Sequence, residues 1–126
     1  MVGEDSVGLE ERVRAASRPE PGNGQGGQAR LCLPLAATEA LADELGFGPA
    51  DVELAALGLG IRPERYLRNF ETYTEDEQMR LLQSRVLLVG LGGLGGHVLE
   101  LLARAGVGAI TGADGDRFAP SNLNRQ

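Results

Sequence analysis

Residues 85–96 read Arg-Val-Leu-Leu-Val-Gly-Leu-Gly-Gly-Leu-Gly-Gly, and the fold is read outward from them. Val86 to Val89 make a short apolar run closed by glycine, the pattern of a buried parallel strand. Gly90, Gly92 and Gly95 then set Gly-x-Gly-x-x-Gly at the strand's end. Val98, Leu101, Leu102 and Ala105 follow at helical spacing, which predicts a helix from about Leu94 to Ala105. Gly106 and Gly108 mark its exit, and Ala109 to Ala113 suits a second strand ending at Asp114. A helical crossover joins parallel strands, so Val86–Gly90 and Ala109–Ala113 are expected to be parallel neighbours. The fold class is therefore α/β: the start of a Rossmann-like parallel sheet, preceded by short helices and incomplete as a domain.

The chemistry of such a turn is specific. Glycines accept positive φ and let the backbone approach a ligand. The first turn of the helix aims unpaired N–H groups outward, and its dipole favours a phosphate by ~0.3–1 kcal/mol. Asp114 stands 22 residues beyond Gly92, where an acid can take ribose hydroxyls. Two features go beyond a simple dinucleotide site. Asp114-Gly115-Asp116 doubles the acid, and the second carboxylate suits Mg²⁺. Ser121-Asn122-Leu123-Asn124-Arg125-Gln126 adds a polar block whose arginine offers forked donors for triphosphate oxygens.

These residues resemble the adenylation domain of the ubiquitin-activating superfamily, and most closely its bacterial HesA/MoeB/ThiF group. The resemblance rests on the glycine turn, Ala105-Gly106-Val107-Gly108, Asp114-x-Asp116 and the Ser121–Gln126 block, and it covers about residues 65–126. It implies ATP-dependent adenylation of the C-terminal glycine of a small ubiquitin-like sulfur-carrier protein. It also implies that Gly93 lies against the phosphates beside Gly90, Gly92 and Gly95. Asp114 would hold the ribose, with Asp116 nearby. Asn122 and Arg125 would reach the phosphates, within a block formed with Ser121, Leu123, Asn124 and Gln126. Upstream, Arg65-Tyr66-Leu67-Arg68 is similar to the family's Arg-Tyr-x-Arg segment, whose second arginine enters a partner subunit's ATP site. The resemblance thus implies a homodimer in which Arg68 and Arg125 serve catalysis, with ATP and Mg²⁺ as cofactors.

The sequence departs from that pattern after Gln126. The family's following lysine and aspartate, its further strands, its frequent reactive cysteine and its frequent Cys-x-x-Cys zinc pair are not in these residues. All twelve basic residues are arginine. The expectation is an N-terminal piece of a longer enzyme, inactive by itself, with zinc belonging to any missing C-terminal part. No metal-ligand set is assigned within the 126 residues.

Composition narrows the classes. A net charge of −6 opposes a nucleic-acid surface, which needs a basic stripe. No apolar run approaches the ~20 residues that span a bilayer. A single cysteine rules out an internal disulfide framework, and a cytoplasmic protein is expected.

The expected organisation is a leader at 1–30, a helical segment at 31–83, and the first part of an ATP-binding adenylation domain at 84–126. Residues 19–29 are rich in Gly, Pro and Gln, so the chain to about Gln28 is predicted disordered, with a transient helix available at Val7–Ala16. Leu31–Leu35 suits a strand or a helix lead-in, and Cys32 there suits a small buried hydrophobe. Thr38–Leu45 reads as a helix capped by Thr38 and ended by Gly46. Gly48-Pro49 starts another, and Pro63–Phe70 is a third candidate. Thr74 and Glu77 form a capping box for a fourth. His97, the sole histidine, is expected to be a structural or surface residue. Two other classes remain open: an NAD-binding oxidoreductase domain, and a non-catalytic nucleotide-binding module.

Overall fold

The computed structural model describes residues 4–21 and 30–125, which form two compact units, Met1–Met79 and Arg80–Gln126.

The first unit is built from helices α1 (Glu4–Ala16), α2 (Leu35–Leu45) and α3 (Pro49–Gly58). Three short strands accompany them: β1 (Arg18–Pro19), β2 (Leu31–Leu33) and β3 (Arg62–Pro63). Strand β2 is central, antiparallel to β1 through Arg18–Cys32 and parallel to β3 through Cys32–Arg62. Leu9, Val13, Leu33, Leu41, Ala42, Val52, Ala56 and Ile61 make the core. Each large apolar side chain so buried contributes ~1.5–3 kcal/mol.

Helix α1 corrects the expectation of a disordered leader over this stretch. Leu9 and Val13 are four residues apart, share one face, and are buried against α2 and α3. Strand β1 likewise orders Arg18–Pro19 of the leader against Leu31 and Cys32, while leader residues 1–3 and 22–29 lie outside the described residues. Helix α2 also differs from expectation. It starts at Leu35, so Thr38 is inside it rather than capping it. The Thr38 hydroxyl is buried and donates to the Pro34 carbonyl at 3.3 Å, which satisfies it within the helix. Gly46 ends α2 with φ 72°, as read. Pro49 opens α3, where the Gly48 N–H donates to Asp51 Oδ2 at 3.0 Å.

The third candidate helix is absent as such. Glu64–Tyr66 and Asn69–Glu71 are two 3₁₀ turns after β3. The Thr74 box is present: Glu77 N–H donates to Thr74 Oγ1 at 3.2 Å, and Thr74 N–H to Glu77 Oε2 at 2.8 Å. It opens helix α4 (Glu75–Gln83). Ser84 closes that helix by donating its hydroxyl to the Leu81 carbonyl at 2.6 Å.

The second unit holds β4 (Arg85–Val89), α5 (Gly93–Ala105) and β5 (Ala109–Ala113). The strands pair in parallel from Arg85–Ala109 to Val89–Ala113, and α5 is the crossover. A Rossmann-like α/β start is what the glycine turn predicts. Burial differs from the expected fully buried strand. Val86 and Leu88 are half-buried on one face, while Leu87 and Val89 on the other are 66% and 78% exposed.

Candidate functional site

The glycine turn leaves β4 at Gly90, whose φ of 90° needs a residue without a Cβ. Helix α5 begins three residues later at Gly93, after Gly92 as N-cap. Among the described residues no side chain caps its first N–H groups. Gly95 explains the close approach of helix to strand: a Cβ there would lie 1.8 Å from the Gly90 carbonyl oxygen.

Asp114 leaves the end of β5 and binds the turn. Its Oδ2 accepts from the Leu91 N–H at 2.6 Å, and its Oδ1 from the Asp116 N–H at 2.8 Å. These two backbone donors, Asp116 first, hold the carboxyl below the usual aspartate range although it is exposed. The acid at the strand end therefore also acts as a brace between the two loops. Each oxygen retains further lone-pair capacity for a ribose hydroxyl.

A cleft of about 400 Å³ opens here, lined by Leu91, Gly92, Asp114, Asp116, Arg117, Phe118 and Asn122. The structure thus gathers four of the expected residues: Gly92, Asp114, Asp116 and Asn122. Asn122 accepts the Ala119 N–H on Oδ1 at 2.8 Å, fixing the 3₁₀ turn Pro120–Asn122. Arg125 donates through Nη1 to Asn124 Oδ1 at 2.9 Å and to the Ser121 carbonyl at 3.3 Å. Its backbone oxygen and side-chain stem lie within 3.3–3.7 Å of where a Gly93 Cβ would stand, so the block packs on the first residue of α5. Ser121, Leu123 and Asn124 are exposed on the same turn. Gln126 lies outside the described residues. Arg117 and Phe118 are cleft residues that the sequence reading missed. An arginine and an aromatic directly after the second acid were the available signal.

Arg68 belongs to the first unit. Its side chain is 92% exposed and pairs with Glu71 at 2.9 Å. It lines a second cleft of about 400 Å³ with Glu20, Pro21, Arg62, Leu67, Phe70 and Glu71. His97 is exposed in the first turns of α5, and Cys32 is fully buried. Among the described residues no group of three or more His, Cys, Asp or Glu is placed to hold a metal ion. No helix among them is long and apolar enough to cross a membrane.

A parallel strand pair, a glycine-led crossover helix and an acid bracing the turn make the start of a Rossmann-like α/β domain. The chain belongs to the ThiF family, whose sequence pattern matches residues 64–126. Similar proteins include the tRNA threonylcarbamoyladenosine dehydratase of Haemophilus influenzae, 44% identical over 43% of this chain and 21% of that protein. The sulfur carrier protein ThiS adenylyltransferase of Escherichia coli is 53% identical over 40% of this chain and 20% of its own length. The adenylyltransferase and sulfurtransferase MOCS3 of Oryza sativa subsp. japonica is 38% identical over 79% of this chain and 22% of its own. The chain spans about a fifth of the length of these relatives. No solved structure matches it.

Proposed function

We propose that these residues form the nucleotide-binding start of an enzyme that adenylates the C-terminal glycine of a ubiquitin-like sulfur-carrier protein with ATP. The observation that carries this reading is the convergence at the start of α5. Helix N–H groups that no side chain caps, the Asp114 brace and the Arg125 turn packed on Gly93 meet at one place. In the reaction, a terminal carboxylate oxygen of the carrier attacks the α-phosphorus of ATP. A P–O bond forms, the bond to the bridging oxygen breaks, and pyrophosphate leaves with that electron pair.

The chain's own groups have separable tasks. The first N–H groups of α5 bind phosphate oxygens without reorganising. Asp114 orients the ribose. Arg125 neutralises charge that develops on the phosphates, and Asn122 keeps its turn in place. Mg²⁺, when bound, screens the triphosphate, and Asp116 is the exposed cleft carboxylate that fits it. Arg68 acts from the second subunit of a homodimer on the same triphosphate. A cytoplasmic setting belongs to this reading.

ATP–pyrophosphate exchange by the full-length enzyme, with and without a ubiquitin-like carrier, tests it. Carrier-dependent exchange is expected. A tRNA bearing threonylcarbamoyladenosine is included as a rival acceptor because one relative carries that name. Thermal stabilisation by NAD but not by ATP with Mg²⁺ would overturn the proposal in favour of an oxidoreductase domain. Binding of ATP without any exchange would leave a non-catalytic module.

A further inference from the structure

Glu53 is a charged residue in an apolar helix. It sits on α3 beside Val52 and Ala56, and its side chain is 1% exposed. Its carboxylate clasps Arg65. Arg65 Nη2 donates to Oε2 at 2.6 Å, and Nε lies 2.6 Å from Oε1 as an ion-pair contact without an aligned hydrogen bond. The Arg65 guanidinium also stands 4.7 Å over the ring of Tyr66, which is buried. A buried ion pair is a poor source of stability, because desolvation offsets its attraction. Its specific product here is a fixed arginine and tyrosine.

That fixed pair opens the segment that carries Arg68. The segment is two 3₁₀ turns, which have no long ladder of helix bonds to stiffen them. Side chains hold it instead. Glu64 Oε2 accepts the Leu35 N–H at 3.0 Å. Arg62 is buried, pairs with Glu75 at 2.6 Å and stands 4.4 Å over Phe70. Asn69 Nδ2 donates to the buried Gln78 at 2.9 Å. Around Arg68, then, positions 62, 64, 65, 66, 69 and 70 are anchored, while Arg68 itself projects with its side chain 92% exposed.

We infer that Glu53 is a positioning residue for Arg68: by clasping Arg65 against Tyr66 it sets the direction in which Arg68 is presented to a nucleotide triphosphate. The inference rests on the proposed adenylation reaction. Misplacing a charge by about 1 Å can cost on the order of 100-fold in rate.

The test is a double-mutant cycle in the full-length enzyme, read by carrier-dependent pyrophosphate exchange. Glu53→Gln, Arg68→Ala and the double variant are compared with wild type, and folding is followed by circular dichroism. Glu53→Gln should lower kcat by roughly 10- to 100-fold with KM for ATP little changed. In the Arg68→Ala background it should lower the rate no further, and Glu53→Asp should restore part of the loss. Equal fold-losses in both backgrounds would overturn the inference and leave the proposed function standing. Absence of exchange by the wild type would overturn both. Should Glu53→Gln not fold, Arg65→Lys, which keeps the charge and removes the fork, takes its place in the cycle. Loss of fold in both variants would assign the pair to stability alone and end the inference.

Discussion

The Asp114 carboxylate accepts the Leu91 N–H at 2.6 Å, so the loop leaving β5 holds the loop leaving β4. This contact fixes the glycine turn before any ligand arrives. The Asp116 N–H, at 2.8 Å on the other oxygen, is donated by the same loop that carries the second acid.

Asp114 should titrate below the ordinary aspartate value of 3.8. A carboxyl with a depressed folded pKa stabilises the fold above its unfolded pKa, and that contribution is lost as pH falls through the folded one. The stability difference between wild type and Asp114→Asn should therefore shrink below about pH 4. Carboxyl-carbon NMR titration and denaturation at stepped pH measure both quantities. An Asp114 signal titrating at or above the unfolded value would contradict the brace. Under the proposed function, Asp114→Ala should weaken ATP binding more than Asp116→Ala does, as read by calorimetry.

Gly95 and Gly96 should respond oppositely to alanine. A Cβ at Gly95 meets the Gly90 carbonyl oxygen at 1.8 Å, whereas the nearest atom to one at Gly96 is the Leu91 oxygen at 3.9 Å. Gly95→Ala must push helix from strand and should cost about 3 kcal/mol or more. Gly96→Ala should be neutral or stabilising by up to ~1 kcal/mol, because it removes glycine's entropic penalty in a helix. Urea denaturation of the two variants decides this, and similar midpoints would contradict it.

Tyr66 should ionise late. Burial raises its pKa first and the Glu53 charge next, to about 12. A raised pKa means the contribution is intact below the unfolded value of 10 and disappears as pH rises towards 12. Stability should thus fall across that interval, and less steeply in Tyr66→Phe. Tyrosinate absorbance against pH follows the ionisation directly.

Leu9 provides a check on the first unit. It is 5% exposed within the core formed with α2 and α3. Leu9→Ala should destabilise the chain by ~2–5 kcal/mol, while Val7→Ala, at a position 65% exposed, should change little. Equal stability of the two variants would return the N-terminal stretch to a disordered leader.

The second unit was legible because its information is local. A four-residue apolar run, glycines at fixed offsets and one helical stripe sit within 30 residues, and the observed elements begin within a residue of those expected. A helix at Val7–Ala16 was legible as a transient one, but its burial was not, because Leu9 and Val13 find their partners on helices that come some 30–50 residues later. The composition of residues 19–29 colours the whole leader, although Glu4–Ala16 has apolar residues enough for one buried face. The 3₁₀ turns around Arg68 resemble a helix in sequence because arginines three apart fit either geometry. At the site, residue types pointed to Asp114 and Asn122. Which backbone N–H each oxygen binds depends on register between strands and could not be read from spacing.

The level pairing of Val89 with Ala113 also bears on where this unit tolerates changes in length. One residue added within β5 would carry Asp114 about 3.3 Å past Leu91 and turn its side chain to the opposite face. The same residue added between Gly106 and Gly108, before the pairing begins, would leave the ladder and the brace in step. Insertions and deletions compatible with nucleotide binding should therefore collect at the helix exit and be excluded from the five residues that precede Asp114.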